Sequence, residues 1–216
     1  MHFTKQDIEN LDKQTRVHFI NSLSGFKSAN LIGSVDNQGQ ENLAIVSSVF
    51  HLGAHPPLVG MIIRPHSVPR HTLENILQTG HYTINHINAD IVEKAHQTSA
   101  RYNKDVSEFT AVGLTPHYNA NCIAPFVKES KLKMALALRS TQTIELNQTE
   151  LVIGEITDVY LEDDKAYCQD GFLDLEKLNT VAISGLDRYH TTSGLTRLSY
   201  AKPNTTLQTL NVTSLK

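Results

Sequence analysis

The sequence predicts a mainly β domain with a few helices, its antiparallel strands forming a barrel. Short apolar runs alternate with polar residues at a period of two. Turn residues punctuate them at hairpin spacing, as in Asp36-Asn37-Gln38-Gly39 and Asn147-Gln148-Thr149-Glu150. Successive short strands of this kind must close on themselves or bury their edges, which implies a barrel. With 216 residues, 40% hydrophobic and 19% charged, the chain suits one domain, residues 1–216, with a full core.

The elements follow in order. Thr4 to Leu23 is polar with scattered Ile8, Leu11, Val17, Phe19 and Ile20, which predicts a short amphipathic helix and a connector serving as a packing arm. Ser28 to Asp36 reads as the first strand and Glu41 to Val49 as its hairpin partner, apolar on both faces until Ser47 and Ser48. Phe50 to Pro57 reads as a loop, and Leu58 to Ile63 as a buried strand closed by Arg64 and stopped by Pro65. Pro69 suits the opening of a short helix with Leu73, Ile76 and Leu77 as its apolar stripe and Gly80 as its C-terminal cap. His81 to Asn88 reads as a strand with Tyr82, Ile84 and His86 on one face. Ala89 to Thr98 is helix-like, Gly113 to Pro116 is a turn, and Ile123 to Val127 leads into a strand over Glu129 to Arg139 with one wet face. Thr141 to Leu146 and Leu151 to Leu161 continue as antiparallel strands.

One stretch carries chemistry. Arg64, at a strand end, reaches solvent or a phosphate. The first helical turn after Pro69 puts Arg70, His71 and Thr72 beside free backbone N–H groups and the positive end of the helix dipole, a combination that favours an oxyanion. The bland alternatives are a surface ion pair for Arg64 and simple helix capping by Thr72. The histidines, 11 in all and including His51, His55, His66 and His71, lack the spacing and acidic or thiol partners of a metal site, so no metal is expected. No nucleophile elbow, dinucleotide fingerprint or Walker sequence occurs. A net charge of -3 gives no footprint for nucleic acid. Cys122 and Cys168 are isolated, and no apolar run is long enough to span a bilayer, so a cytoplasmic protein with reduced thiols and no membrane contact is expected.

Four segments in fixed order add a resemblance. An N-x-A-x-x-S-S pattern (Asn42, Ala44, Ser47, Ser48) is followed by Pro-Pro-Leu-Val at Pro56 to Val59, by Arg70 to Ile76, and by Thr79 to Asn85. Together they resemble the flavin reductase-like proteins of the FMN-binding split-barrel superfamily. The likeness continues through Ser99 to Phe109 and a G-x-x-x-Y element at Gly185 and Tyr189, and it reaches Lys202-Pro203, where relatives often have Arg.

The resemblance implies an antiparallel split β-barrel holding FMN at a homodimer interface. It puts the phosphate near Arg64, Arg70, His71 and Thr72, and the ring near Ser47, Ser48, Val49 and Phe50. Asn85, His86, Arg101, Tyr102 and Tyr189 complete the expected cofactor-binding set. No catalytic residue is expected, because hydride transfer to flavin N5 needs proximity and orientation more than an acid or base. The implied activity is NAD(P)H:flavin oxidoreduction, with NADH or NADPH as transient donor and a monooxygenase or other electron acceptor as partner. A flavoredoxin-like carrier with bound FMN and a non-redox split-barrel binding protein are the alternatives. Ser47 and Ser48 could instead be sheet positions satisfied across strands, Arg101 and Tyr102 a solvated loop, and Asn85 and His86 satisfied core or interface residues.

Overall fold

Turn chemistry sets the hairpins from which the main sheet grows. In the computed structural model, which describes residues 1–214, Asp36 accepts the backbone N–H groups of Gln38 and Gln40, and Gly39 takes a positive φ of 86°. This turn joins β2 (Asn30–Val35) to β3 (Glu41–Val46). The second turn joins two 13-residue strands, β9 (Leu132–Ile144) and β10 (Thr149–Leu161). The remaining strands are β1 (Lys27–Ser28), β4 (Val49–Ala54), β5 (Pro57–Ile63), β6 (His81–His86), β7 (Pro116–Asn119), β8 (Cys122–Val127), β11 (Val181–Ser184) and β12 (Arg188–Thr191). Among the described residues five α-helices accompany them: α1 (Lys5–Asn10), α2 (Lys13–Leu23), α3 (His71–Thr79), α4 (Val92–Gln97) and α5 (Glu108–Val112).

Seven strands form one antiparallel sheet in the order β3-β2-β6-β9-β10-β5-β4. Its two edges, β3 and β4, are consecutive in the chain and joined only by Ser47 and Ser48. The sheet therefore curls without closing, and the fold is an antiparallel split β-barrel. Alternate residues of β2 go to opposite sides. Ile32 joins Met61, Tyr82, Ile84, Leu136 and Val152 in the barrel interior, which Leu73 and Ile76 of α3 help to fill. Leu31 joins Leu43, Ile87, Phe109, Val127 and Ile183 on the outer face, which α4, α5, β8 and β11 cover. β8 crosses β2 so closely that a Cβ on Gly33 would fall 2.0 Å from the Pro125 carbonyl oxygen. Thr83 Oγ1 donates to the same oxygen at 2.6 Å.

Several expectations are corrected. The strand expected to run to Val49 ends at Val46, and the loop expected over Phe50 to Pro57 is mostly strand β4, paired with β5. Ser28 and Asn30 belong to different strands, since β1 pairs with β11 in a separate three-stranded sheet. On α3 the buried residues are Leu73, Asn75 and Ile76, while Leu77 is 54% exposed. Asn75 is drawn inward because its amide donates to Ser34 Oγ at 3.3 Å. The segments on either side of Ser140 are one continuous strand, β9. The N-terminal arm is two helices, neither of which has a buried residue.

Candidate functional site

The open side of the barrel is bordered by the edge of β3, the start of α3 and the segment between α4 and α5. An edge strand exposes every second N–H, and here two of them are taken by side chains from outside the sheet. Glu108 Oε2 accepts the Leu43 N–H at 2.9 Å, and Thr98 Oγ1 accepts the Ile45 N–H at 3.0 Å. Burial pushes the Glu108 carboxyl above its usual range, and the Leu43 N–H offsets part of that. Glu108 falls in the Ser99 to Phe109 stretch of the resemblance, but neither capping role was signalled by the sequence, because nothing in local spacing says which distant side chain will cap a sheet edge.

At the near end of β3, Asn42 Nδ2 donates to Thr72 Oγ1 at 2.9 Å and ties the strand to the first turn of α3. Arg70 occupies the N-cap position of α3 without capping it through its side chain. Its own backbone N–H goes to Glu74 Oε1 at 3.0 Å, and its Nε donates to the Pro65 carbonyl at 3.2 Å. Burial lowers the Arg70 pKa, and the positive charges of Arg64 and Arg101 lower it further, so the three guanidinium groups stand within electrostatic reach of one another. None of the three is in an ion pair among the described residues. The Glu74 carboxylate of the same turn pairs with His66 at 2.9 Å rather than with a guanidinium, and the like charges of the arginines are costly unless an anion joins them.

The Ser47-Ser48 step crosses from one sheet edge to the other. Ser48 Oγ donates to the Ile62 carbonyl at 2.6 Å, the cross-strand role given above as its alternative, and Ser47 is half-buried beside it. Val49 packs against the interior cluster. The Phe50 ring lies over Gly60, where an added Cβ would come within 2.6 Å of it.

The other expected residues have different surroundings. Asn85 is fully buried, with Nδ2 donating to the Leu31 carbonyl and Thr83 Oγ1 and with Oδ1 accepting the Val127 N–H, so its amide knits β2, β6 and β8 together. Tyr102 accepts a hydrogen bond from Gln97 Nε2 at 3.2 Å, and Arg101 beside it is exposed. The Tyr189 hydroxyl is 2.9 Å from His96 Nδ1 of α4, and burial, with Asp187 adding to it, raises its pKa to about 12. Tyr189 lines a separate cleft of about 500 Å³ with Asp90, Glu93 and Lys94. His86 Nδ1 is buried without a partner among the described residues, and desolvation lowers the ring's pKa to about 4. No group of three or more His, Cys, Asp or Glu side chains able to hold a metal ion occurs among the described residues.

The family model for the flavin reductase like domain matches residues 23–176. A crystal structure from Shewanella frigidimarina NCIMB 400, provisionally assigned as a flavin reductase with a split barrel domain, is 64% identical, covers 93% of this chain and 100% of its own, and superposes with a TM-score of 0.90. Nitrilotriacetate monooxygenase component B from Bacillus cereus shares the fold at 18% identity, covering 92% of this chain and 98% of its own with a TM-score of 0.78. Flavoredoxin of Desulfovibrio vulgaris (Miyazaki F) shares it at 23% identity, covering 83% and 92% with a TM-score of 0.68.

Proposed function

The chain belongs to the flavin reductase-like family, and from that premise we propose that it binds FMN and uses it to pass hydride from NADH or NADPH to an acceptor. The observation that carries this reading is that the positive charges of Arg64 and Arg101 act on Arg70 at the start of α3, with none of the three in an ion pair among the described residues. One phosphate suits that cluster, and the chain has no dinucleotide fingerprint that would favour FAD.

In this reading the three arginines hold the phosphate. The Thr72 hydroxyl, whose oxygen already accepts from Asn42, turns its proton to the same anion. The helix dipole of α3 adds to the attraction. Glu108 and Thr98 hold the β3 edge straight beside it, and Ser47 with Ser48 borders the ring. The bound flavin supplies the hydride-accepting N5. The chain's residues orient the ring and exclude water, which is why none of them looks like an acid or base catalyst.

A homodimer belongs to the same proposal. Val17, Ile20 and Leu23 of α2 stand 40%, 44% and 63% exposed on a helix with no buried residue, and a second copy would cover them. Cytoplasmic residence fits two free, buried cysteines. The electron acceptor is either free flavin or a partner such as a monooxygenase; a flavoredoxin-like carrier would keep its FMN and reduce a protein instead.

The test is the absorption spectrum of the purified protein, identification of the flavin released on denaturation, and NADH and NADPH oxidation with free FMN as acceptor. Oxidation that depends on added or bound FMN is the expected result. A colourless protein that cannot be reconstituted with FMN would remove the reading, and FMN-bound protein inert toward both nicotinamides would favour the carrier.

A further inference from the structure

A chain of hydrogen bonds leads from the Ser47-Ser48 crossover to a second cleft, and its direction is fixed at one end. The Val49 carbonyl can only accept, so the Ser28 hydroxyl gives its proton there, at 3.3 Å. The Ser28 oxygen is then the acceptor for Asn30, whose Nδ2 donates to it at 3.0 Å. This orients the Asn30 amide and turns Oδ1 away, into a buried position with no partner among the described residues. In the β2–β6 register Asn30 lies directly opposite His86, so the two side chains share a face. His86 Nδ1 is the other orphaned atom there. A hydrogen bond from Nδ1–H to Asn30 Oδ1 would satisfy both atoms at once. The His86 tautomer is then set, and Nε2 is left with a lone pair.

His86 lines a cleft of about 230 Å³ whose walls include Phe26, Leu175, Thr180, Val181 and Ala182. The volume falls below the roughly 300–1,000 Å³ of sites that enclose drug-sized ligands, so it takes one ring or the end of a larger ring system. Burial keeps the imidazole uncharged at neutral pH.

We propose that this cleft is a subsite for a flat nitrogen heterocycle that offers an amide N–H, accepted by His86 Nε2, with Asn30 and Ser28 as positioning residues that fix the tautomer. Two rings in the reaction carry such a group: the carboxamide of the reduced nicotinamide and the N3–H edge of the flavin. The assignment of these ligands rests on the function proposed above. Ser28 lines the cleft and is hydrogen-bonded to the Val49 carbonyl, next to which the flavin ring is expected.

The test uses the full chain with ¹⁵N-labelled histidine, read by NMR. The expected tautomer is Nδ1–H, with Asn30→Leu shifting it toward Nε2–H; if that variant does not fold, Ser28→Ala, which frees the Asn30 amide to turn over, should give a mixture. Free nicotinamide and riboflavin are then added in separate arms, each against a control without the N–H, methyl nicotinate and N3-methylriboflavin. A shift of the His86 Nε2 signal with nicotinamide or riboflavin but not with its control supports the subsite and names the source. His86→Phe should weaken binding of the responding probe about tenfold. An Nε2–H tautomer in the parent protein, or shifts equal for probes and controls, or none for any, overturns the inference. A protein that shows the expected tautomer and shifts but neither retains FMN nor oxidises NAD(P)H overturns the proposed function instead.

Discussion

Asn42 Nδ2 donates to Thr72 Oγ1 at 2.9 Å and so fixes the edge of β3 to the first turn of α3. Because the Thr72 oxygen accepts this bond, its proton remains available to an anion at the helix start. Thr72→Val keeps the shape and removes the hydroxyl. It should weaken FMN about tenfold, a charge-assisted hydrogen bond contributing roughly 1.5–3 kcal/mol. Fluorescence titration checks this. Riboflavin affinity should hold, and a parallel loss would mean that Thr72 supports the strand rather than the phosphate.

His86 should make folding stability depend on pH below neutrality. Its pKa is lowered in the folded protein to about 4 from 6.5 by desolvation. The unfolded chain therefore binds a proton that the folded one refuses, so stability is full above about 6.5 and falls as pH drops toward 4. The shift corresponds to at most about 3 kcal/mol at 1.36 kcal/mol per pKa unit. Lys27 also lines the cleft, with its ammonium held by the Asn21 and Gly185 carbonyls. Urea midpoints measured from pH 7.5 to 4.5 should decline less steeply in His86→Leu, and unchanged steepness would show that other groups set the slope.

Gly154 and Tyr82 are sterically coupled inside the barrel. A Cβ on Gly154 would lie 2.1 Å from the Tyr82 hydroxyl oxygen and 2.8 Å from Cζ. That hydroxyl is buried and without a partner among the described residues, and burial raises its pKa. Gly154→Ala should cost about 1–3 kcal/mol by overpacking. Tyr82→Phe, which removes the nearer clash, should recover part of it. A double-mutant cycle in thermal unfolding reads the coupling, and strict additivity would contradict it.

Much of the fold was legible because the signals were local. Asp36 to Gly39 and Asn147 to Glu150 are turns by their own chemistry, and α3 ends at Gly80 in the left-handed conformation expected of its cap, with φ of 70°. The β4 strand was hidden because it is an edge. Phe50 and Leu52 are 41% and 43% exposed, so no buried face imposes alternation, and His51, Gly53 and His55 give it the composition of a loop. Asn75 displaced Leu77 from the core through a partner, Ser34, 41 residues away. The proposed anion site rests on Arg64, Arg70 and the helix start, which stand out in the sequence alone. Its edge supports, Glu108 and Thr98, do not, since their partners on β3 lie 65 and 53 residues distant. Asn85 entered as part of the Thr79 to Asn85 segment of the resemblance, and its amide takes the satisfied core role given as its alternative, bonding to Leu31, Thr83 and Val127.

The central claim is that Arg64, Arg70 and Arg101 hold a flavin phosphate. Its most direct test is the affinity of Arg64→Ala and Arg70→Ala for FMN and for riboflavin, which lacks the phosphate, by fluorescence titration at constant salt. FMN should bind roughly ten- to hundredfold more weakly in each variant, falling toward riboflavin, whose affinity should stay where it is in the parent protein. Equal losses for the two ligands, or no loss for either, would contradict the account and put the phosphate elsewhere.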